Sequence, residues 1–143
     1  MKSVLIPVDG SECSLRAVGL VIAKRNRYSR PDELAVHLVN IQPPLPHDVT
    51  RFASHQQVAD YQRSESDQQT EAARHQLEAA HVPYTYHHSV GNVAEEIAAL
   101  AERLGCDQIV MGTHGYNALA EFFLGSITAK VIHLSKVPIL LVK

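Results

Sequence analysis

The sequence predicts a doubly wound α/β domain, a single open sheet of five parallel strands with helices on both faces. Short apolar runs alternate along the chain with longer segments of helical periodicity, and strands that alternate with helices pair in parallel. The first run, Ser3 to Val8, has no polar alternation, which suits a central strand covered on both faces. With 143 residues, 45% of them hydrophobic, the chain fits one compact domain, residues 1–143, with an ordinary core.

The elements follow in order. After Ser3 to Val8 comes Asp9-Gly10, and Ser11 can cap a helix in which Leu15, Val18 and Ile22 recur at helical spacing. That helix fades in Lys24-Arg25-Asn26-Arg27. Leu34 to Ile41 is the second strand, and Pro43-Pro44 with Pro46 then stops regular structure. Ser54 to His81 is polar, with Val58, Tyr61, Ala72, Ala73, Leu77 and Ala80 as sparse apolar positions. It reads as a mostly exposed helix. Tyr84 to Val90 is the third strand, and Asn92-Val-Ala-Glu95 has capping-box spacing before a helix that Gly105 ends. Gln108 to Met111 is a short fourth strand. Ala120, Phe123, Leu124, Ile127, Val131 and Leu134 then keep helical spacing, and Val137 to Val142 closes the sheet as the fifth strand.

Composition narrows the function classes. A formal net charge of −2 offers no broad basic field for a nucleic-acid backbone, so no nucleic acid is expected. Cys13 and Cys106 are far apart and form no CxxC pair, which fits a reducing cytoplasm. The opening MKSVLIPVDG reads as a strand and not as a signal peptide. No apolar run reaches the roughly 20 residues that a membrane helix needs, so no membrane association is expected.

Ligands of such sheets sit at the carboxyl ends of strands near the switch in strand order. Two segments fall there, Asp9-Gly10-Ser11 and the run from Gly112. In that run Gly112-Thr-His-Gly115 is followed after nine residues by Gly125-Ser126, beginning where a strand ends and finishing where a helix begins. Glycines permit positive φ and close approach of backbone to ligand, and free amides at a helix N-terminus favour an anion. From the glycines alone, a phosphate cradle and a plain turn are equally good readings. The Walker spacing with its lysine is absent, as is GxGxxG.

Gly-x2-Gly-x9-Gly-Ser resembles the nucleotide-binding motif of the universal stress protein family. Ile6-Pro-Val-Asp-Gly-Ser11, His37-Leu-Val-Asn40, Gly91-x-x-Ala-Glu-Glu-Ile97, Asp107-Gln-Ile-Val-Met-Gly112 and Val137-Pro-Ile-Leu-Leu-Val142 resemble its other blocks. Only about 42–80 is uninformative. The resemblance implies an adenine nucleotide alpha hydrolase-like sheet of flavodoxin-like appearance that binds ATP or another adenine nucleotide, with or without Mg2+, commonly as a homodimer. Carried over by position, Asp9 would bond the ribose with Pro7 beside it, and Leu38 and Met111 would line the adenine pocket. Gly112, His114, Gly115, Gly125, Ser126, Ile127 and Thr128 would surround the phosphates. Many members carry a basic or small residue after the second glycine. Tyr116-Asn117 stands there in this chain, so AMP or ADP is expected to bind comparably to ATP.

Other residues carry less. Asp9 has no second carboxylate placed beside it, no GxSxG or HExxH occurs, and no catalytic residue is assigned. His87 and His88 are adjacent on a strand and point to opposite faces, so with His75 and His81 they read as solvated or core histidines, and no metal site is assigned. Cys13 reads as a small first-turn residue. The C-terminal strand Val137 to Val142 would be an apolar edge open to a second copy. The expected function is nucleotide-dependent regulation or stress resistance without turnover. A slow ATPase or phosphotransferase using Asp9 and Ser126, and a nucleotide-free dimeric adaptor, are the alternatives.

Overall fold

The computed structural model describes residues 1–115 and 124–143. Along the chain lie β1 (Ser3–Pro7), α1 (Glu12–Arg25), a 3-10 turn (Pro31–Glu33), β2 (Ala35–Gln42), α2 (His47–Thr50) and α3 (His55–Ala79). They are followed by β3 (Thr85–Val90), α4 (Val93–Arg103), β4 (Gln108–Gly112), α5 (Ser126–Leu134) and β5 (Ile139–Val142). The five strands form one sheet in the order β3-β2-β1-β4-β5, with every adjacent pair parallel.

Side-chain alternation divides the core into two layers. Val4 and Ile6 of β1, with Val36 and Leu38 of β2, pack against Ala17, Val18 and Val21 of α1 and Ala73 and Leu77 of α3. Leu5, Val39, Ile41 and Ile109 face the other way, against Ile97 and Ala101 of α4 and Val131 of α5. Helices therefore cover both faces, as the sequence predicts.

Helix ends follow their caps. The Ser11 side chain accepts from the Ser14 amide at the start of α1, and Asn92 accepts from Glu95 at the start of α4. Ser54 and Gln57 form a reciprocal capping box that sets the start of α3. After α4, Gly105 adopts φ +63°, a left-handed conformation that glycine tolerates without cost.

Two boundaries differ from expectation. β5 begins at Ile139 and not at Val137, because the Ser135 hydroxyl takes both the amide (3.0 Å) and the carbonyl (2.8 Å) of Val137. Pro138 next to it has no amide to pair. α5 begins at Ser126, so Leu124 precedes the helix, while Ala120 and Phe123 lie outside the described residues. α2 is an added short helix inside the predicted loop.

Candidate functional site

The chain runs outward from β1 through β2 to β3, then crosses to β4 and β5 on the other side of β1. Strand order thus reverses between β1 and β4, and the carboxyl ends diverge there to leave a crevice. A cleft of ≈ 600 Å³ occupies it, walled by residues after β1, the last residues of β2, the end of β4 and the start of α5.

The predicted residues converge on this cleft with one exception. Pro7 and Asp9 reach it from the β1 end, and Met111, Gly112, His114 and Gly115 from the β4 end. Gly125, Ser126, Ile127 and Thr128 reach it from the start of α5. Leu38 does not line it. It is fully buried beneath α1 and α3 on the opposite face of β2. Because successive strand residues point to opposite faces, Val39 and Ile41 supply the apolar wall in its place, with Met111. Tyr116 and Asn117 lie outside the described residues.

The three cradle glycines answer to close packing and not to positive φ. Among the described glycines only Gly10 and Gly105 have positive φ. A Cβ on Gly112 would sit 2.9 Å from Cys13 Sγ and 3.1 Å from the Cys13 carbonyl carbon, where β4 meets α1. On Gly115 it would sit 2.5 Å from Asp9 Oδ2, and on Gly125 3.2 Å from His114 Cα. The loop is thus drawn tightly over the β1 turn. Its ends are tied by Gly125 N donating to Thr113 O at 2.8 Å and by Thr128 Oγ1 donating to Gly112 O at 3.2 Å.

Asp9 is fixed in turn, since the Ser11 amide donates to its Oδ1 at 2.9 Å. Gly125 gives α5 no side-chain cap, so the first-turn amides keep their donors and the helix dipole presents its positive end to the cleft. Among the described residues no lysine or arginine lines the cleft, and Asp9 is the one carboxylate that does. An anion here would be held by backbone amides and by the Ser126 hydroxyl, since Thr128 Oγ1 already gives its proton to Gly112 O, while Asp9 suits a hydroxyl donor.

The universal stress protein family model matches residues 1–143. The chain belongs to the universal stress protein family. Universal stress protein MJ0531 of Methanocaldococcus jannaschii is 29% identical over 142 residues, covering 99% of this chain and 82% of that protein. The solved structure of MJ0577 superposes with a TM-score of 0.82 at 31% identity, covering 99% of this chain and 95% of the other. A universal stress protein in complex with cAMP superposes with a TM-score of 0.69 at 24% identity, covering 99% and 97% of the two chains.

Several cleft residues of this universal stress protein escaped the motif. Asn40 and Gln42 at the end of β2 and Gln69 of α3 line it as a hydrogen-bonded amide cluster. Polar residues at the carboxyl end of an otherwise apolar central strand are the signal that marks Asn40 and Gln42. Nothing comparable marks Gln69.

The remaining chemistry-bearing residues lie apart from the cleft. His87 is paired with His37, Nε2 to Nδ1 at 3.0 Å. Burial lowers both pKa values, and the charges of His37 and Arg103 lower that of His87 further. Burial also lowers that of His88. His75 and His81 are exposed. Among the described residues no group of three or more His, Cys, Asp or Glu side chains could hold a metal ion. Cys13 is buried and donates through Sγ to Val142 O at 2.9 Å. Burial raises the Cys106 thiol pKa. No described helix is long and apolar enough to cross a membrane.

Proposed function

We propose that this universal stress protein binds an adenine nucleotide in the cleft and acts through the bound state, as a regulatory or stress-resistance factor of the cytoplasm. The observation that carries the reading is the cradle itself. Gly115 and Gly125 let the loop pack closely against Asp9 and the His114 backbone, and Gly125 leads into an uncapped helix N-terminus at the same cleft. Such a terminus is a ready-made phosphate site. The ribose falls to Asp9 and the base to the apolar wall of Val39, Ile41 and Met111. The cAMP complex of a structural relative supports an adenine ligand.

Phosphate binding by backbone amides and the Ser126 hydroxyl, with no lysine among the described lining residues, rewards extra phosphates weakly. AMP, ADP and ATP are therefore expected to bind within a small factor of one another, with Mg2+ adding little. Asp9, the one carboxylate among the described lining residues, already accepts at Oδ1 from the Ser11 amide and is a poor general base, which favours binding over turnover.

Isothermal calorimetry on the wild type and Gly125→Val tests the reading. Binding of AMP or ATP by the wild type and its loss in the variant are expected, since a branched side chain at Gly125 runs into His114 backbone. Equal affinity in the two proteins would overturn it.

A further inference from the structure

The end of the cleft formed by β2 holds a polar device that neither the phosphates nor the ribose uses. Asn40 and Gln42 are 2% and 7% exposed, and with Gln69 of α3 they form a cluster in which every amide orientation is dictated. The Val8 carbonyl can only accept, so Asn40 turns Nδ2 toward it at 2.7 Å. Asn40 Oδ1 is left facing Gln42, which donates Nε2 to it at 2.8 Å. Asn40 Nδ2 and Gln42 Nε2 then both donate to Gln69 Oε1, at 2.9 and 3.1 Å.

Gln69 cannot flip, because an NH2 group in the place of Oε1 would meet two donors. Its Nε2 is consequently a preset donor on a side chain that lines the cleft, and it has no partner among the described residues. β2 lies two strand positions from β4, about 10 Å at the usual spacing. A nucleotide with phosphate at α5 and ribose at Asp9 extends its base toward β2. There Val39 and Ile41, which share one face of β2, would pack against one flat side of the ring and leave its edge to Gln69.

We propose that Gln69, held by Asn40 and Gln42, reads the base by donating through Nε2 to a ring nitrogen of adenine. The proposal rests on the nucleotide reading above and adds to it a specificity-determining side chain from α3. A purely structural role, tying α3 to the sheet, would use Oε1 alone and would be blind to the ligand's ring atoms.

The test uses the full chain and calorimetry with AMP and its 1-deaza, 3-deaza and 7-deaza analogues, on wild type, Gln69→Glu and Gln69→Met. Gln69→Glu keeps an oxygen for Asn40 and Gln42 and replaces the donor by a second oxygen. Gln69→Met removes the donor without adding charge. Because each analogue is compared with AMP on the same protein, any general weakening cancels. One analogue should bind the wild type about three- to tenfold more weakly than AMP, the worth of a single hydrogen bond, and the variants should abolish that difference. Wild type that binds all three analogues as well as AMP, or a deaza penalty that persists in both variants, would overturn the proposal. Failure of AMP to bind the wild type at all would instead overturn the nucleotide reading on which it rests.

Discussion

The Asp9 carboxylate lies against the Cα of Gly115, so close that a methyl group there would meet Oδ2 at 2.5 Å. Residues from the ends of two adjacent strands, β1 and β4, thus share one van der Waals surface, and Gly115 cannot grow without moving the carboxylate. The carboxylate is also pinned from behind by the Ser11 amide, so it has little room to retreat.

Gly115→Ala should therefore lower both stability and nucleotide affinity, with a stability cost of about 1–3 kcal/mol for overpacking. Adding Asp9→Ala should recover only part of the stability, since it removes the obstructing atom but also the acceptor of the Ser11 amide, and should leave affinity low because the ribose partner is gone. Urea unfolding of the single and double variants, alongside AMP calorimetry, checks both halves. Recovery of affinity in the double variant would contradict the assigned role of Asp9.

Gly112→Ala behaves differently. Its added Cβ would meet Cys13 Sγ at 2.9 Å and Cys13 backbone carbon at 3.1 Å, so trimming the cysteine side chain removes only part of the obstruction. A loss of about 1–3 kcal/mol is expected for the single variant, with partial recovery in Cys13→Ala/Gly112→Ala. Urea midpoints measured for the two proteins distinguish partial from complete recovery.

The histidines give stability a pH dependence of definite sign. His37, His87 and His88 all have folded pKa values lowered from the ordinary 6.5, so between those lowered values and 6.5 the unfolded chain binds more protons. Stability is then full above pH 6.5 and is lost as pH falls through that window. His87→Gln should flatten the profile of urea midpoint between pH 7 and 5. An unchanged slope would show that the His37–His87 pair does not govern it.

How much of this could be read from the chain alone depends on which atoms do the work. The glycine cradle was legible because its chemistry is backbone chemistry, and Gly112, Gly115, Gly125 and Ser126 announce backbone geometry by identity and spacing. The reason for the glycines was not legible, since it lies in the distant neighbours Cys13, Asp9 and His114. Leu38 was misplaced because choosing the face of a strand requires knowing what covers each side, and both sides of β2 are buried. Gln69 was missed because the inward stripe of α3 is Gln62, Ser66 and Thr70 before it becomes Ala73 and Leu77. Hydrophobic periodicity is silent about a polar stripe.

The sheet has two unlike edges. β3 presents Thr-Tyr-His-His-Ser-Val on one side and β5 presents Ile-Leu-Leu-Val on the other, with Leu141 of β5 exposed. We infer that two copies pair through β5 as a homodimer. Leu141→Lys should yield monomer in analytical ultracentrifugation at micromolar concentration, and a wild type that sediments as monomer would contradict the pairing.

That asymmetry also limits how far assembly can go. Joining two β5 edges about a two-fold axis would consume the greasy margin of both copies at once, because the same patch would serve on each. What would remain outward is the hydroxyl- and imidazole-bearing margin of β3, far less apolar than β5. A continuous ten-stranded sheet would thus be a finished object, closed to the runaway stacking that a chain with two sticky margins would invite.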